Sequence, residues 1–264
     1  MASLKCLIVL CMLHLFVEGT EGVNPAVLAR IIQYFDNNVQ PTTMPDAQYA
    51  IAIIVPPAQC TDEQSDIQTV FSREEAEHVR NLLNNRENCI LCTQSENVIA
   101  ARPNGMTKEH SEHILLYPLG NSPMDTLLAQ ADQNSCVVFY SYNSPCVTKC
   151  ILSDDNILPG LTNWKNKREG MNVFVFNKIW QKDAWRRDMA KDLLKIHERL
   201  PLYRCTRRNV MECQNCINGN IVIPFCLPER RSVLLYFQKM FLSMIKSCIH
   251  WAMKSELLTK HTLI

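Results

Sequence analysis

Two short stretches of the chain hold side chains whose types and spacing could bind a metal and move protons. His110-Ser111-Glu112 sets an imidazole two residues before a carboxylate, and Ser144-Pro145-Cys146-Val147-Thr148-Lys149-Cys150 sets two thiols four residues apart behind a proline. Ser144 suits an N-cap and Pro145 a first helical position, so Cys146 is expected in the first turn of a helix and Cys150 one turn later on the same face. The positive end of a helix favours thiolates, which are the metal-binding form of cysteine. His110, opening another helix behind Thr107 as its candidate cap, completes a set of one imidazole and two thiolates. Three protein donors leave the fourth tetrahedral position of a zinc ion for water, which marks a catalytic and not a structural site. Zinc lowers the pKa of bound water from about 15.7 to about 7, so a nucleophile is available at neutral pH. Glu112, two residues from a ligand, can face that water without binding the metal and carry protons for it.

The surrounding pattern supplies elements to hold these groups. Asn24 and Pro25 cap and start an amphipathic helix with Val27, Ile31, Ile32 and Phe35 on its apolar face. Tyr49 to Val55 is an apolar run between prolines, which reads as a strand buried on both faces. Arg73 to Asn84 reads as a charged helix, and Asn97 to Ala101 as a second strand closing at Pro103-Asn104-Gly105. Helical pattern runs from His110 to Tyr117, breaks at Pro118 to Pro123 and resumes to about Ala131. Cys136 to Tyr142 is expected as a third strand, Cys146 to Leu152 as the start of a helix, Asn172 to Phe176 as a fourth strand, and Ala184 to Arg199 as a basic amphipathic helix. Alternating strands and helices imply an α/β core. The His helix thus follows one strand and the Cys helix another, and the 32 residues between Glu112 and Pro145 leave room for one helix and one strand.

The whole chain has 264 residues, of which 47% are hydrophobic and only 7 are Gly, which excludes collagen-like and disordered classes. Lys5 followed by the apolar run Cys6 to Val17 has the form of a secretory signal peptide over residues 1–22, and that run is too short to anchor in a bilayer. No later run is long enough to span a membrane. Removing the leader takes 2 of the 13 cysteines, and zinc claims Cys146 and Cys150, so 13 − 2 − 2 = 9 remain for an oxidising compartment. Nine is odd, and Cys136, inside a strand, or Cys248 is the candidate unpaired thiol. Cys89-x-x-Cys92 and Cys213-x-x-Cys216 have the form of an all-cysteine zinc site, although secretion favours disulfides.

The net charge of +1 conceals two unlike halves. Residues 23–160 carry 7 Lys+Arg against 16 Asp+Glu, a balance of −9, whereas residues 161–264 carry 19 against 8, a balance of +11. Trp164-Lys165-Asn166-Lys167-Arg168, Trp185-Arg186-Arg187 and Arg204 to Arg208 interleave rings with cations, as a single-stranded nucleic acid groove does. Solvated helix faces paired with the acidic half explain the same pattern equally well. Beyond Leu200 a cysteine-rich segment with Cys205, Cys213, Cys216 and Cys226 precedes an amphipathic helix whose apolar stripe runs from Phe237 to Ala252.

His-x-Glu followed by Pro-Cys and a second cysteine is close to the signature of zinc deaminases of nucleobases. The residues His110-Ser-Glu112 and Tyr142-Asn-Ser-Pro-Cys-Val-Thr-Lys-Cys150, with their strand-helix context, resemble the AID/APOBEC branch of the cytidine deaminase superfamily, and with the leader they are similar to its secreted members. The resemblance covers Tyr49 to about Arg199. It implies a three-layer α/β/α fold with a mixed five-stranded sheet, zinc on His110, Cys146 and Cys150, and proton shuttling by Glu112. Residues 23–200 would form this domain and residues 201–264 a cysteine-rich and helical extension. Nucleic acid-editing members carry a Trp directly before the Ser-Pro-Cys element; here Asn143 stands there, with Tyr142 or Tyr140 the nearest ring. Asn104 lies where related deaminases hold a ribose-contacting amide, and it is equally suited to the turn it sits in. Asn104, Tyr142 and Ser144 are the candidate substrate contacts. The expected function is a secreted zinc-dependent deaminase that converts cytosine to uracil in a nucleoside or in single-stranded RNA or DNA, with a role in innate immunity. A secreted binding protein that keeps the fold and zinc without useful catalysis is the alternative.

Overall fold

In the computed structural model, residues 23–229 are described apart from 45 and 86–88. The expected leader and the C-terminal amphipathic helix fall outside these residues. Helix α1 (Pro25–Asn38) starts where Asn24 accepts a hydrogen bond from the Ala26 N–H, and it buries Val27, Leu28, Ile31, Ile32 and Phe35. Strand β1 (Ala50–Val55) is buried at all six positions, as a strand flanked by layers on both sides must be. A short helix α2 (Pro57–Thr61) leads to α3 (Arg73–Asn84), which Ser72 and Glu75 close with a reciprocal capping box. Strands β2 (Leu91–Gln94) and β3 (Val98–Ala101) follow, then α4 (Ser111–Leu116) and α5 (Pro123–Leu128). Strand β4 (Cys136–Asn143) runs into a single π-helical turn at Val147–Ile151. Helix α6 (Leu158–Lys167), strand β5 (Met171–Lys178), helix α7 (Met189–His197) and the hairpin β6 (Leu202–Arg207) and β7 (Met211–Asn215) complete the main layers. A small ribbon of β8 (Ile217–Asn218) and β9 (Ile221–Val222) closes the described chain.

The sheet has seven strands in the order β2-β3-β1-β4-β5-β6-β7. Its centre is mixed: β1 is antiparallel to β3 and β4, while β4, β5 and β6 are parallel. Strands β3, β1, β4, β5 and β6 form the expected five, and each edge gains one antiparallel partner, β2 on β3 and β7 on β6. The sheet therefore continues past Leu200 into the cysteine-rich segment, where the Cys205–Cys213 disulfide links β6 to β7.

Helices cover both faces. One core packs α1 and α3 against Ile51, Ile53, Val138, Tyr140, Val173 and Val175, and the other packs α4 to α7 against Ala52, Ile99, Phe139, Phe174 and Phe176. The period-2 alternation of strand side chains makes this division. Helix α6 can lie on α4 because residue 160 is glycine; a Cβ there would come within 2.8 Å of the Leu116 Cβ.

Three expectations change. The basic helix expected at Ala184–Arg199 runs only from Met189 to His197, after a 3-10 turn at Gln181–Asp183 whose Asp183 carboxylate accepts the Val147 N–H. Ser144 does not cap the cysteine turn; its hydroxyl accepts a hydrogen bond from the Trp180 N–H instead. Cys136 is not a free thiol, since it is joined to Cys60 in a disulfide. Cys89–Cys92 and Cys216–Cys226 are also joined, so Cys146 and Cys150 are the unpaired cysteines among the described residues. Among those residues, no helix is long and apolar enough to cross a membrane.

Candidate active site and metal centre

Two chain reversals at the same end of the sheet bring the chemistry together. After β3 the chain turns through residues 102–109 and delivers His110 as the N-cap residue of α4, so its side chain lies ahead of the helix and Glu112 in its first turn. After β4 the chain passes Ser144 and Pro145 and delivers Cys146 at the head of the π-helical turn that ends beyond Cys150. The Cys150 N–H donates to the Cys146 carbonyl at 2.8 Å and the Leu152 N–H to the Val147 carbonyl at 3.0 Å. The cap comes from elsewhere in the sequence: the Asp183 carboxylate accepts the Val147 N–H at 2.8 Å. Asp183 is 3% exposed, and burial raises its pKa while this hydrogen bond opposes the rise.

The three donor side chains converge. Cys150 Sγ lies 3.1 Å from His110 Nδ1, Cys146 Sγ lies 3.7 Å from the same nitrogen, and the two sulfurs are 3.8 Å apart. One ligand atom from each can be chosen with all within 4.8 Å of one another. The contact between the two sulfurs, together with His110, holds the Cys146 thiol far below its ordinary pKa, and the same contact with burial pushes Cys150 up. Hydrogen bonding to Cys146 raises the pKa of His110 against the opposing effect of burial. Two sulfurs and an imidazole nitrogen this close form a donor set that suits zinc, and the pairing of the other described cysteines leaves these two free for it.

Glu112 is 2% exposed and held from behind. Its Oε1 accepts from Ser141 Oγ at 2.7 Å and from Gln48 Nε2 at 3.1 Å, and its Oε2 accepts from Ser111 Oγ at 3.1 Å. Glu112, His110 and Cys146 line one cavity of about 160 Å³, whose walls also include Gln48, Asn143 and Trp180.

The three candidate substrate contacts are not gathered equally. Ser144 lines the cavity, with its N–H donating to the Lys178 carbonyl. The Asn104 side chain accepts from the N–H groups of Met106 and Thr107 and so closes its own turn. Tyr142 points to the opposite face of the sheet, where it stacks on Tyr49 and donates its hydroxyl to Asp46. That placement follows from strand period, because Ser141 and Asn143 already occupy the site face. Gln48, Ser141, Trp180 and Asp183 were not singled out from sequence. Only the antiparallel register carries a signal for Gln48: Ala50 pairs with Ser141, so two residues further along Gln48 falls opposite Asn143.

Since Asp183 caps the turn that carries two of the candidate metal donors, Asp183→Ala is expected to weaken zinc binding by about 10–100-fold, as loss of a supporting hydrogen bond commonly does. Competition with a chromogenic chelator reads this directly; unchanged affinity would show that the turn holds its shape without the cap.

A mixed α/β/α sandwich with a His-Cys-Cys cluster and a buried glutamate at the same end of its sheet is the architecture of the zinc deaminase class. The family model described as Secreted Novel AID/APOBEC-like Deaminase 1 matches residues 25–230, and the chain belongs to that family. Neither a curated protein nor a solved structure gives a match.

Proposed function

We propose that the protein is a secreted zinc-dependent deaminase that converts cytosine to uracil in a nucleoside or single-stranded nucleic acid. The observation that carries this reading is the single cavity shared by the metal donors His110 and Cys146 and the buried carboxylate of Glu112. Zinc held by His110, Cys146 and Cys150 supplies, when bound, an activated water as nucleophile. The chain's own residues do the rest. Glu112 takes a proton as water adds to the amino-bearing carbon of the base and delivers it to the ring nitrogen; it then carries the proton of the added hydroxyl to the amino group, which leaves as ammonia as the carbonyl forms. Trp180 offers a ring on the cavity wall against which a planar base can lie, and a cavity of this size suits one pyrimidine ring. The expectation of secretion rests on the leader pattern and is supported by the family's description and by four disulfides. A role in innate immunity rests on the family resemblance alone.

The binding-protein reading has its own observation. Trp185 is 50% exposed and lines an open groove of about 670 Å³ with Arg187 and with Arg186, which pairs at 3.6 Å with the buried Asp192. The other basic clusters are largely spent on structure: Trp164 and Arg168 are buried, Arg204 donates to the carbonyls of Asn177 and Phe225, and Arg207 pairs with Asp36 at 3.2 Å.

One set of samples separates the two. The deaminase reading predicts about one zinc per chain and ammonia release from at least one substrate among cytidine, deoxycytidine and cytosine-containing single-stranded RNA and DNA. Full zinc occupancy with no release from any of them overturns it. In that case, single-strand affinity that falls with salt and weakens in Arg186→Ala/Arg187→Ala supports the binder.

A further inference from the structure

Glu112 is a candidate proton carrier that sits at the end of a chain of donors, and the chain begins outside the motifs. Gln48 lies in the segment just before β1, 64 residues from Glu112. Its Oε1 accepts from the Asn143 backbone N–H at 2.8 Å and from Asn143 Nδ2 at 2.9 Å. A backbone N–H can only donate, so it settles which end of the carboxamide faces which way. Nε2 must then point toward the site, where its two hydrogens are shared among Ser141 Oγ at 2.8 Å, Glu112 Oε1 at 3.1 Å and Ser111 Oγ at 3.2 Å. Ser141 Oγ, having accepted from Gln48, has Glu112 Oε1 at 2.7 Å and the Asn143 carbonyl at 2.9 Å as acceptors for its one proton, and the nearer, charged oxygen takes it. Polarity therefore runs one way, from the Asn143 N–H through Gln48 and Ser141 to the carboxylate, and bonds aligned in this sense reinforce one another.

Gln48 is itself tied down. Two residues earlier, Asp46 accepts the Tyr142 hydroxyl at 2.6 Å and pairs with Lys178, while the Tyr142 N–H donates to the Tyr49 carbonyl at 3.1 Å. Lys178 also lies over the Tyr142 ring, 5.4 Å from its centroid. The segment 46–49 is thus held to the ends of β4 and β5 on one face of the sheet while Gln48 reaches the cavity on the other.

We propose that Gln48 is a positioning residue for Glu112, oriented by Asn143 and held in register by the Tyr142–Asp46–Lys178 tie. This gives a use to two residues the catalytic motif leaves unexplained. Asn143 stands where editing deaminases have a tryptophan because its amide grips Gln48, and Tyr142 acts through Asp46 and not on the base. The inference rests on the deaminase reading for its catalytic consequence only, since the clamp is a property of the folded chain.

The test has two arms. In the metal-free protein, the side-chain amide protons of Gln48, followed by nuclear magnetic resonance with Gln48→Glu as the assignment control, are expected to exchange far more slowly than those of exposed glutamines. They should shift in Ser141→Ala and in Glu112→Gln. Rapid exchange in the wild-type protein overturns the clamp whether or not the protein is a deaminase. In the zinc-loaded protein, on whichever substrate releases ammonia, Gln48→Leu is expected to lower kcat by about 100-fold with KM within about twofold, the cost of a group misplaced by about 1 Å. Asn143→Ala keeps the backbone donor and should lose several-fold less. An unchanged kcat in Gln48→Leu, or a loss carried by KM, overturns the positioning role. Absence of turnover in the wild-type protein counts against the deaminase reading and leaves the exchange arm to decide the clamp.

Discussion

Glu112→Gln is expected to retain wild-type zinc and lose about 10²–10⁴-fold in ammonia release, the usual worth of a positioned general acid-base group. The substitution keeps size and burial but removes the ability to take a proton. It also alters the local hydrogen bonding, because Ser141, Gln48 and Ser111 all donate to the carboxylate and a carboxamide has only one acceptor atom for them. The donors must then rearrange, as Ser141 can by turning to the Asn143 carbonyl at 2.9 Å, so the variant should fold and melt somewhat earlier than wild type. Cys150→Ser gives the opposite pattern. Cys150 is 1% exposed and its sulfur is 3.1 Å from His110 Nδ1, so replacing it removes a metal donor and zinc content should fall with activity. Metal analysis beside an ammonia assay distinguishes the two variants. If Glu112→Gln kept the wild-type rate, another group would have to carry the proton and the proposed mechanism would fail.

The elements that were legible before the structure are those in which local pattern and tertiary environment agree. The run Ala50–Val55 is apolar throughout because helices cover both faces of β1, and Arg73–Asn84 begins at a capping box that can be read residue by residue. Helix α6 was missed since Leu158-Pro159-Gly160 resembles a break. Its proline occupies the first turn, where no N–H is needed, and its glycine is there for the approach to Leu116. Strands β6 and β7 were hidden by their composition. Arg204, Arg207, Glu212 and Gln214 belong to an edge hairpin, and the cysteines beside them join the two strands.

The site divides along the same line. His110, Glu112, Cys146 and Cys150 are local motifs whose spacing is visible in the chain. Gln48, Ser141 and Asp183 act across 64, 29 and 36 residues respectively, distances over which no spacing rule operates. Tyr142 marks the boundary between the two kinds of information: it neighbours the motif in sequence, yet strand alternation sends its ring to the far face of the sheet.

The cysteines provide the second large effect. Removing the Cys60–Cys136 bond is expected to destabilise the protein by about 2–5 kcal/mol, a range that brackets the loop-entropy value of about 4 kcal/mol for a loop of this length. The two residues are 76 apart, Cys60 in α2 and Cys136 at the first position of β4, and both are fully buried. Strand β4 is central in the sheet and leads directly into Ser144 and Cys146, so the bond anchors the start of the strand that leads to a candidate metal donor. Cys60→Ala/Cys136→Val keeps apolar volume at both positions and avoids leaving a lone buried thiol. For a domain of this size its melting temperature should fall by roughly 4–20 °C, at about 2–4 °C for each kcal/mol. Zinc content should persist below the melt, because none of the three donors is touched. Peptide mapping under non-reducing conditions should recover Cys60 and Cys136 in one linked fragment. Recovery of Cys136 as an alkylated free thiol, or a melting temperature unchanged in the double variant, would remove the bond from the account of stability and return Cys136 to the role of a buried free cysteine. With that bond and the other three in place, eight of the cysteines beyond residue 22 are linked and Cys146 and Cys150 are the unpaired candidates for metal, so the odd one of the eleven is Cys248, which lies outside the described residues.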